Sequence, residues 1–178
     1  MAALLDRLRV GFHWRGGGDV VFADVTEWWR DPVVLRDLPP ALAALVPGTP
    51  TVVIGPVSRG TLLGALVAAH LGVGLVELRK NDRAALHSTA YLWRRLPPEY
   101  HEGGALLSFR RALIRPGDRV LCVDDWIESG AQADAARQMV AEIGAEWLGT
   151  ACVVDDLPGD TPLREALGLR SLLVADDL

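Results

Sequence analysis

Apolar residues fall along this chain in two alternating rhythms, short β-branched runs and longer stretches with apolar and small residues at helical spacing. Thr51-Val52-Val53-Ile54 reads as a strand that ends in Gly55-Pro56-Val57-Ser58-Arg59-Gly60, and residues 61–71 then repeat apolar positions with helical period. A second strand over 74–78 follows within a few residues, so the segment is a βαβ unit with parallel strands and a right-handed crossover. Further on, Arg115-Pro116-Gly117-Asp118 is a turn that feeds a strand over 119–124. A helix over 131–143 puts Ala135, Ala136, Met139, Val140 and Ile143 on one face, and strands are predicted over 146–154 and 171–175. Upstream, residues 19–26 read as a short strand and 32–45 as a helix capped by Asp31 with Pro32 at its first position. Residues 81–109 break the rhythm with Pro97, Pro98, Gly103 and Gly104, and a connection of this length is either a small hairpin or a mobile lid.

Composition narrows this to one α/β domain: 178 residues, half of them hydrophobic, are enough for one substantial core. No run of about 18 uncharged apolar residues occurs, and the N-terminus lacks a basic region followed by an apolar one, so a cytoplasmic protein without membrane association is expected. A formal net charge of −5 argues against nucleic-acid binding, while the arginines between 94 and 119 make the middle of the chain locally basic, which suits a small polyanion. Cys122 and Cys152 sit in apolar runs and are expected to be buried thiols, and the four histidines show no metal-ligand spacing. Of the 18 basic residues only Lys80 is a lysine, and it directly follows a predicted strand, where a compact ammonium suits a phosphate.

The chemistry concentrates in Val123-Asp124-Asp125-Trp126-Ile127-Glu128-Ser129-Gly130-Ala131-Gln132. Adjacent carboxylates at a strand end can accept hydrogen bonds from vicinal ribose hydroxyls or hold a hydrated Mg²⁺. The backbone N–H groups of Ser129, Gly130 and Ala131 then face a phosphate at the positive end of a helix dipole. Three loops, 55–60, 79–83 and 124–132, are thus expected at the carboxyl ends of neighbouring parallel strands, where ligands bind in open α/β sheets.

In this arrangement the chain resembles the type I phosphoribosyltransferases, most closely their adenine branch. The 123–132 segment is similar to the family's phosphoribosyl loop, Gly55 to Gly60 to its pyrophosphate loop, Leu78-Arg79-Lys80 to the basic pair after the next strand, and Phe22-Ala23-Asp24-Val25-Thr26 to its base-covering hood. The resemblance implies an α/β fold with a central parallel sheet flanked by helices, a hood over residues 1–32 and a flexible lid over 81–109. It implies transfer of the 5-phosphoribosyl group from phosphoribosyl pyrophosphate to a purine or purine-like base, with Mg²⁺ as cofactor and a homodimer as working unit.

By the same resemblance Asp124, Asp125, Glu128, Ser129, Gly130, Ala131 and Gln132 hold the ribose and 5′-phosphate, with Mg²⁺ at Asp124 and Asp125 through water or ribose. Ser58, Arg59, Gly60, Arg79 and Lys80 hold pyrophosphate, and Phe22, Val25 and Trp126 are candidates to touch the base. Arg83, His87 and Ser88 are candidates to close over pyrophosphate. Glu128 is the candidate to orient or deprotonate the base nitrogen, with Asp124 and Asp125 completing the catalytic set. Two departures from the family pattern bear on the acceptor: Gln132 stands where a hydroxyl residue is usual, and Glu128 where the adenine branch carries alanine. A specialised acceptor outside salvage and a non-catalytic sensor of phosphoribosyl pyrophosphate or nucleotide are the alternatives. A dinucleotide-binding Gly-x-Gly-x-x-Gly after the first strand is missing.

Overall fold

A computed structural model describes residues 1–17, 20–97, 105–159 and 161–178, with Val20 described by its backbone alone. Its frame is a seven-stranded sheet in the order β5-β6-β4-β3-β7-β8-β9. Strands β3 (Val52–Pro56), β4 (Gly74–Lys80), β7 (Arg119–Ile127), β8 (Glu146–Asp155) and β9 (Leu169–Val174) run parallel. The helix α3 (Arg59–Leu71) makes the predicted crossover between β3 and β4, and α4 (Ala131–Ile143) and α5 (Pro162–Leu167) follow β7 and β8.

Alternation along the central strands feeds two separate cores, as expected of strands covered on both faces. Ile54, Val120, Cys122 and Cys152 point to one side, where they meet Ala136, Met139 and Val140 of α4. Val53, Leu121, Val123, Ala151 and Val153 point to the other, against Leu63 and Val67 of α3, Leu38 and Leu42 of α2 (Pro32–Ala43) and Leu4 and Leu8 of α1 (Ala2–Val10). Both cysteines are buried free thiols, as expected. Burial pushes their pKa values up, so they serve as small apolar fillers. Among the described residues no helix is long and apolar enough to cross a membrane.

One region departs from the sequence expectation. Before α2 the chain forms α1 and then an antiparallel hairpin of β1 (His13–Gly17) and β2 (Val20–Asp24), whereas only one strand, starting at Asp19, was expected; Asp19 itself lies outside the described residues. Trp28 anchors this region from below: it is 1% exposed and its indole N–H donates to the Leu8 carbonyl at 2.8 Å.

Within 81–109 the described residues form paired strands, the hairpin of the two alternatives. A 3₁₀ turn over Arg83–His87 leads into β5 (Tyr91–Arg95), which pairs antiparallel with β6 (Leu106–Arg110), and β6 pairs antiparallel with the end of β4. Leu92, Leu107 and Phe109 are buried there, and Glu142 of α4 takes hydrogen bonds from Arg94 and Arg111 at the hairpin's two ends. Burial of three large apolar side chains outweighs the polar composition that suggested a loop. Residues 98–104, which include the Glu99-Tyr100-His101-Glu102 cluster, lie outside the described residues.

Candidate active site

The parallel strands β3, β4 and β7 release their following loops at one edge of the sheet, and a cleft of about 620 Å³ opens there. Ser58 and Arg59 reach it from the start of α3, Lys80 from the last position of β4, and Asp124 and Asp125 from β7. The opposite wall comes from the β1–β2 hairpin through Trp14, Phe22 and Asp24, with Trp126 and Asp156 beside it. Cations and buried acids thus face an aromatic wall across one opening.

The acid pair is held unusually deep. Strand β7 runs on to Ile127, so Asp124 and Asp125 belong to the strand itself, at 6% and 5% exposure. Asp124 Oδ1 accepts the Asp125 backbone N–H at 2.9 Å. Burial first, and then the charge of Asp125, hold the Asp124 carboxyl well above the usual carboxylate range, while Lys80 pulls the other way. Arg59 Nε lies 2.9 Å from Asp125 Oδ2, but the alignment falls short of a hydrogen bond, so this buried oxygen has no hydrogen-bond donor. Gly60 does not line the cleft; it underlies it. A Cβ at that position would come within 2.6 Å of Asp124 Oδ1 and 2.8 Å of Pro56, so only glycine lets the start of α3 approach the acid this closely. The Val57–Ser58 peptide bond in the same loop is cis.

The loop between β7 and α4 forms a second, smaller recess of about 10 Å³ between Asp124 and Ala133, lined by Glu128, Ser129, Gly130, Ala131 and Gln132. Gly130 takes φ 70°, the left-handed turn into α4, and Ser129 Oγ accepts the Ala131 N–H at 3.3 Å. Gln132 lines both recess and cleft, and its buried Oε1 has no hydrogen-bond partner. Glu128 likewise borders both.

Five sequence candidates do not reach the opening with their side chains. Arg79 precedes Lys80, so strand alternation sends it to the other face, where it pairs with Glu77 at 3.0 Å and Asp82 at 3.6 Å. Val25 is fully buried in the core beneath the hairpin, not in the cleft wall. Arg83, His87 and Ser88, placed in the 3₁₀ turn and its cap, also do not line the cleft. Phe22, 56% exposed, and Trp126 do line it.

Two wall residues, Trp14 and Asp156, were not anticipated. Trp126 stacks on Phe12 with centroids 5.8 Å apart and meets Trp14 edge-on at 6.0 Å, while its indole N–H donates to Asp156 Oδ2 at 3.0 Å. Asp156 is thereby fixed at the cleft margin by a residue thirty positions away, and no local pattern marks it. Trp14 sits in a strand too short and exposed to show a period. Asp24 is a fastening: it accepts from Thr26 N at 3.0 Å, from Thr26 Oγ1 and from Arg15 Nε at 3.0 Å. Those hydrogen bonds, led by the Thr26 hydroxyl, lower its pKa to about 2. Among the described residues no group of three or more His, Cys, Asp or Glu side chains could hold a metal by itself.

Comparison with known proteins agrees with this layout. A family model described as a phosphoribosyl transferase domain matches residues 42–166, from the end of α2 through α5. An adenine phosphoribosyltransferase of Synechococcus sp. (strain JA-3-3Ab) is 38% identical over 141 residues, 76% of each chain. One of Acidovorax sp. (strain JS42) is 32% identical over 178 residues, covering 97% of this chain and 93% of its own. Among solved structures, the adenine phosphoribosyltransferase of Rhodothermus marinus is similar at 28% identity with a TM-score of 0.78, covering 98% of this chain and 99% of that one. The Saccharomyces cerevisiae enzyme, complexed with an imino-altritol bisphosphate and adenine, aligns at 26% identity with a TM-score of 0.81, over 97% and 100% of the two chains. With a family model across most of its length and relatives that span nearly all of it, this chain belongs to the phosphoribosyl transferase family.

Proposed function

We infer that this protein transfers the 5-phosphoribosyl group from phosphoribosyl pyrophosphate to a purine base, adenine by the similarity of its relatives, and releases pyrophosphate. The observation that carries this reading is the buried Asp124–Asp125 pair set opposite Arg59 and Lys80 in one cleft with an aromatic wall. Asp125 Oδ2, buried without a hydrogen-bond donor, is suited to accept from a ribose hydroxyl, and Asp124 to accept from its neighbour. As pyrophosphate departs, the ribosyl carbon becomes cation-like, and the field of the two acids favours that charge.

Arg59, Lys80 and Ser58 face the departing pyrophosphate. Ser129, Gly130, Ala131 and Gln132 cradle the 5′-phosphate at the start of a 13-residue helix. Turning the Gln132 amide over brings its Nε2 donors to where Oε1 now lies unpartnered. Glu128, bordering both recess and cleft, orients the base nitrogen or takes its proton.

Asp124 and the Asp125 Oδ2 that lacks a hydrogen-bond donor would hold a hydrated Mg²⁺, a mode of binding that needs only one or two carboxylates from the protein. Its chemistry there is to neutralise the pyrophosphate charge. The resemblance also supports a cytoplasmic homodimer of single-domain subunits with a hood over 1–32 and a closing segment within 81–109, and sedimentation equilibrium tests the dimer.

Pyrophosphate release should depend on both the donor and a purine when adenine, hypoxanthine, guanine, xanthine and uracil are compared. Silence with all five bases would remove the assignment. Lys80→Ala should raise KM for phosphoribosyl pyrophosphate about tenfold or more with little change in melting temperature, the loss expected for one charge-assisted contact.

A further inference from the structure

The cleft wall that would face the acceptor carries two fixed carboxylates besides Glu128, and they differ in what they have left to offer. Asp24 spends both oxygens on Thr26 and Arg15 within its own hairpin. Asp156 spends one. Its Oδ2 accepts the Trp126 indole N–H at 3.0 Å, and among the described residues no other side chain donates to it. Its backbone N–H is tied to the Ile127 carbonyl at 2.8 Å, so the residue is anchored at main chain and side chain together. Trp126 is in turn held by Phe12 and Trp14, which places Asp156 at the hairpin side of the opening.

We propose that Asp156 is a specificity-determining residue of the acceptor pocket, its Trp126-held carboxylate accepting a hydrogen bond from an amino group on the base edge and rejecting a base with a carbonyl there. This rests on the reaction inferred above. A carboxylate only accepts hydrogen bonds, whereas an exocyclic amine donates and a carbonyl brings lone pairs. An indole N–H is a donor without an acceptor, so it holds the carboxylate without offering the base a competing contact. Trp126 is then a positioning residue, because it acts through Asp156.

Asp156→Asn separates the chemistry from the shape. The amide oxygen can still accept from Trp126 while its NH₂ turns a donor toward the cleft. The kcat/KM ratio of adenine to hypoxanthine should fall about 10- to 100-fold, the factor carried by one hydrogen bond to a charged group. AMP and IMP binding, followed by calorimetry, should shift the same way, and Trp126→Phe should raise KM for adenine while leaving kcat nearly unchanged.

Adenine turnover with an unchanged base ratio in Asp156→Asn overturns the proposal. Should wild-type protein release no pyrophosphate with any base, the inferred reaction fails, and nucleotide binding alone decides on Asp156. A preference for AMP that the asparagine variant reverses upholds the assignment; equal binding of AMP and IMP, or of neither, by the wild type overturns it.

Discussion

Asp124 is placed where burial and function oppose one another. Its carboxyl is held above the usual range by burial and by Asp125, so the folded protein binds a proton more tightly there than the unfolded chain does. The sign follows: stability from this group is fully present below pH about 4, the ordinary carboxylate value, and is lost as pH rises through the elevated folded value. Asp124→Asn removes that dependence and keeps an oxygen for the Asp125 N–H. In metal-free protein it should melt higher than wild type at pH 7, with the difference shrinking toward pH 4 and donor binding lost; a lower melting temperature at pH 7 would count against it. Residues of this kind were legible in the sequence because strand, acids and turn are contiguous. Arg79 does not line the cleft, because a motif names a pair of neighbours while a strand sends neighbours to opposite faces. Asp156 was invisible because its role is made by contact with Trp126, not by spacing.

At the scale of elements, the five parallel strands and α4 followed from periodicity, since β3, β7 and β8 carry apolar runs buried on both faces and β4, β9 and α4 each bury a recurring apolar set. The N-terminal elements did not. Strand β1 is exposed at four of its five positions, and α1 buries only Leu4 and Leu8, so neither displays a pattern above its polar background. What holds the hairpin is instead its fastening. Asp24 keeps its carboxylate to about pH 2 through Thr26 and Arg15, so its contribution is present above pH about 4 and is lost as pH falls toward 2. In wild type, Trp14 fluorescence should therefore change across that acid window. Asp24→Asn, which has no such charge to lose, should show a hairpin already loosened at pH 7 and no transition between pH 4 and 2; an identical acid transition in the variant would assign it to other groups.

Across the whole molecule the cleft joins parts of unequal origin. The donor side is built from the carboxyl ends of β3, β4 and β7, which belong to the sheet and to the stretch matched by the family model, whereas the hairpin wall lies upstream of that stretch. The hairpin reaches the sheet through the contacts of Phe12 and Trp14 with Trp126, and Trp14 remains 51% exposed in them. A ligand confined to the sheet side should therefore sense little of a hairpin lesion, while a nucleotide spanning both sides should sense all of it. At 100 times its dissociation constant a ligand adds about 2.7 kcal/mol, which for a chain of this size raises the melting temperature by roughly 5–10 °C. For Trp14→Ala we expect the shift produced by phosphoribosyl pyrophosphate with Mg²⁺ to match wild type, and the shift produced by AMP at the same concentration to fall markedly. Equal loss of both shifts would mean that the hairpin holds the donor side in shape, and that the two halves of the cleft are one cooperative unit.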